Sequence, residues 1–163
     1  MTGPSVEANM TMRKARAAAI TTWVYAAGFG VPAIPVAVYL VTQGRLPRFL
    51  GLFEMYGGPW SSRLKPGPFL ALLAGFLVLT GVAGWSARWI WRGRKAGAVL
   101  NLTLLPLEAI CWVGFALPIP WLAGLTRVAL LAAGWRSLDG TLRWRVEQPV
   151  LATAAEEDIA ERV

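Results

Sequence analysis

Two charged side chains stand where charge is expensive. Between Lys95 and Trp135 the chain carries only Glu108 and Arg127 as formal charges, inside apolar runs long enough to cross a lipid bilayer. On insertion scales each costs about 2.5–3.5 kcal/mol at the centre of a span, so each needs a partner. Pro118 and Pro120 break the run into two antiparallel helices. Glu108 lies ten residues before Pro118 and Arg127 seven after Pro120, or about 15 and 10 Å from the turn at about 1.5 Å per residue. An extended arginine closes that difference, and the spacing predicts a Glu108–Arg127 ion pair between the last two helices. Such a pair can lock the register of a helical hairpin. Alternatively, with Asn101, two turns before Glu108 on the same face, it forms a polar site for a proton, an ion or an anionic headgroup. Pro106 adds to that polarity by depriving the Leu102 carbonyl of its helical partner.

Other chemistry is excluded by what the chain lacks. It has no His, which removes His-ligated haem, His zinc sites and Ser/His/Asp triads. Its one Cys, Cys111, sits in an apolar run and cannot form an internal disulfide or a thiolate cluster. General acid/base catalysis would rest on a single Glu already matched by an Arg. No enzymatic activity, cofactor or metal site is expected.

The elements that position Glu108 and Arg127 follow from composition. Of 163 residues 56% are hydrophobic and 15% charged, with mean hydropathy +0.50, whereas soluble domains carry about 25% charge. The net charge of +7 comes from basic residues that flank the apolar runs, so topology and lipid headgroups account for it and no nucleic-acid partner is expected. With only three Lys (Lys14, Lys65, Lys95) among abundant Ala, Gly and Trp, the usage points to a bacterial plasma (inner) membrane.

Uncharged runs of 28 residues between Arg16 and Arg45 and of 22 between Lys65 and Arg88 each exceed the roughly 20 residues a span needs. Together with the run after Lys95 they predict an all-α integral membrane protein, a four-transmembrane-helix bundle. The spans fall at about 17–41, 68–89, 97–117 and 119–135, with an outer loop at about 42–67. Arg13, Lys14, Arg16, Arg88, Arg92, Arg94, Lys95, Arg136, Arg143 and Arg145 flank one side, against Arg45, Arg48, Arg63 and Lys65 on the other. Both the amino-terminal segment, 1–16, and the tail, 136–163, are therefore placed in the cytoplasm. Trp85, Trp89, Trp91 and Trp135 fit the inner interface, Trp60 and Trp121 the outer one.

Within the first span, Pro32 and Pro35 remove hydrogen bonds to the Gly28 and Val31 carbonyls and predict a bend near its middle. Small residues four apart, Ala26 with Gly30, Ala71 with Gly75 and Thr80 with Gly84, allow close helix approach either within the chain or between chains. In the outer loop Phe49, Leu52, Phe53 and Tyr56 share a helical face. They predict a short interfacial helix or, equally, a loop folded over the mouth of the bundle. The first dozen residues are expected to be flexible, and Thr153 to cap a short acidic helix in the tail.

The function expected from these features is that of a non-catalytic subunit or accessory protein of a larger membrane complex. Membrane lipids, other subunits or a second copy are the expected partners. The alternative is a small homo-oligomeric transporter or channel built around Glu108, Arg127 and Asn101.

Overall fold

A computed structural model describes residues 4–138. The chain is mostly helical, and three of its helical segments, Met10–Gln43, Pro66–Trp91 and Lys95–Gly114, are long and apolar enough to cross a membrane. The tail helix expected from Thr153 lies outside the described residues.

The first segment opens with α1 (Pro4–Tyr25). Its helix runs from Pro4, a residue suited to a first helical turn, through most of the first dozen residues. The middle of this helix is held by packing, since Ala15, Ala18 and Ala19 are fully buried in one cluster with Leu131 and Leu138. After Tyr25 the helix widens into a π-turn, Ala26–Gly30, before α2 (Ala33–Gln43). Pro32 offers no N–H, and the chain accommodates the loss by changing its hydrogen-bond spacing. Pro35 falls in the first turn of α2, and the Val31 carbonyl accepts from the Ile34 N–H at 3.1 Å. Gly44, in the left-handed region at φ +66°, ends α2 by donating its N–H to Leu40.

The connection after α2 forms no helix over 49–56. Arg48–Phe49 (β1) and Phe53–Glu54 (β2) pair antiparallel, with Arg48 opposite Glu54 and Phe49 opposite Phe53. Gly51, at φ +75°, makes the reversal, and a turn so tight is incompatible with the 3.6-residue period of a helical face. The hairpin folds over the mouth of the bundle, and Tyr56 inserts to 4% exposure. The short α3 (Pro59–Arg63) then leads into α4 (Pro66–Trp91), whose 26 residues extend about 39 Å.

Gly93, at φ +75°, allows the tight turn into α5 (Lys95–Gly114): its N–H meets Ile90 O and that of Arg94 meets Trp89 O, both at 2.9 Å. The next turn occupies Phe115–Pro118, so Pro120 sits in the first turn of α6 (Ile119–Gly134) rather than in the connection. This ends α5 at Gly114, short of the Leu117 expected from the sequence.

The helices close a ring in the order α1, α4, α5, α6, with α5 and α6 the least closely packed pair. Every ring neighbour is antiparallel: Gly134 meets Ala15, Gly30 meets Thr80, and Gly97 meets Ser86. The α4–α5 turn and both ends of the described chain therefore share one end of the molecule. The hairpin and the α5–α6 turn share the other.

Candidate functional site

At the centre of the ring Glu108 of α5 and Arg127 of α6 form the expected ion pair, both fully buried. Two guanidinium nitrogens face two carboxylate oxygens, Nη2 on Oε2 and Nη1 on Oε1, the latter at 3.5 Å. This fork geometry matches a planar donor to a planar acceptor. Arg127 also lies 4.6 Å above the ring of Tyr25, a cation–π contact strengthened by the dry surroundings. Trp112 completes the group by donating its indole N–H to the Tyr25 hydroxyl at 2.9 Å. Tyr25 and Trp112 form part of the site that charge patterning misses. Trp112 nevertheless lies four residues after Glu108 and so on its face of α5, a usable signal.

Asn101 does not join this group. Its amide donates to Ser86 Oγ on α4 at 3.0 Å, and the Ser86 hydroxyl donates in turn to the Ala83 carbonyl at 2.7 Å. Asn101 thus ties α5 to α4, whereas the ion pair ties α5 to α6. Among the described residues, Asn101 Oδ1 and Arg127 Nε are buried without a hydrogen-bond partner. The prolines are also dispersed. Pro106 is exposed on the outward side of an unbroken α5, away from Glu108, and Pro32 and Pro35 lie around the start of α2.

A second feature lies at the hairpin end. Between the π-turn, the hairpin and the α5–α6 connection runs a groove of about 800 Å³. Gly28, Phe29 and Pro32 form one wall, Phe49 and Phe53 another, and Phe115 to Ile119 a third. The Tyr56 hydroxyl donates to the Phe29 carbonyl, binding the hairpin to the π-turn. Burial pushes the Tyr56 phenol well above its ordinary pKa. The ring of Phe115 meets Tyr56, Trp60, Phe69 and Phe76 edge-on, with centroids 5.0–5.6 Å away. The described non-glycine residues with positive φ, Leu50, Tyr56 and Ala116, all belong to the hairpin segment or the α5–α6 turn. Backbone strain of this kind clusters at ligand clamps and switch regions.

Chemically, the arrangement offers a neutralised ion pair sealed from solvent and an apolar groove. Among the described residues no three His, Cys, Asp or Glu come together as metal ligands. No family model matches the chain, and no curated protein or solved structure matches it.

Proposed function

We propose that the chain is a four-span integral membrane protein of a bacterial plasma membrane, with both ends cytoplasmic, acting as a non-catalytic subunit or accessory protein of a larger assembly. The observation that carries this reading is the outward side of α4. Gly67, Ala71 and Gly75, spaced by four, are all exposed, and open space lies where side chains at Gly67 and Gly75 would project. The other small pairs are used internally. A side chain at Gly30 would collide with Thr80, and one at Gly84 would stand 3.5 Å from Ala26. Only the Ala71–Gly75 pair is left for a neighbour, and in lipid such faces permit close helix contact. The neighbour is a second copy or another subunit.

The remaining topology accords with this. Arg16, Arg88, Arg92 and Arg94 gather at the end shared by both ends of the described chain, which favours the cytoplasmic side. The 16 residues of α6 extend about 24 Å, near the lower limit for a fourth span. The transport alternative has weaker support, because Glu108 and Arg127 neutralise each other at zero exposure and neither lines the groove.

Substituting Gly75→Ile in the full chain, in its native membrane, tests the reading. Cross-linking and gentle co-purification are expected to lose the associated chain, while the yield and melting temperature of the protein stay unchanged. Undiminished association would refute it.

A further inference from the structure

The groove at the hairpin end carries a chemical signature of its own. Five of its fifteen lining residues are aromatic, Phe29, Phe49, Phe53, Tyr56 and Phe115; the rings of Tyr56 and Phe115 are buried in its floor, and those of Phe29, Phe49 and Phe53 are the accessible ones. Its one charged lining residue is Glu54, and no Lys or Arg lines it although the chain carries 16 of them. The Glu54 carboxylate lies at the wall: its Oε2 is 3.4 Å from the point where a side chain would leave Gly57, another lining residue. Arg48 sits directly across the hairpin from Glu54, yet no ion pair joins them and neither side chain has a hydrogen-bonding partner among the described residues.

Aromatic faces present the negative side of their quadrupole, and with a carboxylate and no cation among the lining residues they attract positive charge on an apolar body. A hydrocarbon tail alone would gain nothing from Glu54, and an anion would be repelled. We propose that this groove is a binding site for a lipophilic organic monocation: a quaternary ammonium or phosphonium group, with its apolar substituents against Phe29 and the hairpin phenylalanines, Phe49 and Phe53. A free amphiphile and the choline group of a lipid present this same chemistry. The site is independent of the outward face of α4, and either could exist without the other.

The test uses the full chain in nanodiscs of phosphatidylglycerol and titrates tetraphenylphosphonium against tetraphenylborate, which has the same shape and opposite charge. The cation is expected to bind saturably, one per chain, and the anion at least about tenfold more weakly. Glu54→Gln should weaken the cation by about tenfold, and because Glu54 is exposed the melting temperature should not move. Gly28→Leu projects into open space at the groove wall and should block binding without disturbing the bundle. Replacing the lipid with phosphatidylcholine separates the sources: competition assigns the natural occupant to a lipid headgroup, and its absence assigns it to a free amphiphile. Equal binding of the two probes, or cation binding untouched by both substitutions, overturns the proposal.

Discussion

The two ends of the molecule solve the same packing problem with opposite materials. At the cytoplasmic end of the proposed topology the core is Ala15, Ala18, Ala19, Ala87 and Ala98 with a few larger aliphatics, and helix backbones nearly touch. A side chain at Gly97 would stand 2.7 Å from Ser86 O and 2.8 Å from Ile90 N, and one at Gly134 2.9 Å from Ala15 N. At the hairpin end the core is dominated by the rings of Tyr25, Tyr56, Phe69, Phe76, Trp112 and Phe115, and backbone closes on backbone where Gly58 meets Gly114 and Ala116. Small residues therefore give contact without space, whereas bulky rings meeting edge to face leave a groove beside them. Glu108 and Arg127 occupy the transition between the two regimes.

The largest break in this contrast should come at that transition. Arg127→Leu leaves Glu108 buried and unpaired and should cost about 3–5 kcal/mol, while the double substitution Glu108→Leu with Arg127→Leu should recover most of it. Denaturation in mild detergent gives both values, and a double variant no better than the single one would deny the coupling. Next in size, Gly97→Val at the tight end should cost about 1–3 kcal/mol or more, because backbone atoms cannot move aside. Gly28→Ala, beside the groove, should stay within about 0.5 kcal/mol. Ala116→Gly should run the other way and raise stability by about 1 kcal/mol, by relieving a left-handed alanine. Smaller or comparable, Tyr56→Phe should remove about 1 kcal/mol by deleting the bond to Phe29. Faster amide exchange confined to the hairpin would show that the loss is local.

How far these features can be read from the sequence depends on the range of the forces involved. Uncharged runs and prolines located the apolar helices, because crossing lipid leaves few alternatives for the backbone. The ion pair was equally legible, since two isolated charges in apolar surroundings have only each other. The hairpin was not: Phe49, Leu52, Phe53 and Tyr56 satisfy a helical period, but Gly51 and the pull of the Tyr56 insertion decide the local structure. Asn101 shares a face of α5 with Glu108, but a shared face says nothing of whether that stretch meets α4 or α6, and its partner Ser86 is found only in the assembled bundle. The groove was illegible, since its walls come from segments far apart in the chain. The small-residue pairs were visible as a set, and only the assembled ring divides them into two used inside and one turned outward.

The unequal lengths of α4 and α6, about 39 and 24 Å, have a consequence for the surrounding lipid. With α6 as the fourth span of the proposed topology, a membrane cannot match both walls at once, so the acyl chains beside α6 would shorten or the whole molecule would lean toward that side. Either response carries a modest penalty for each ångström of mismatch. The protein should consequently gather where the hydrocarbon layer is thin, and reconstitution into lipids of graded chain length would reveal the thickness it prefers.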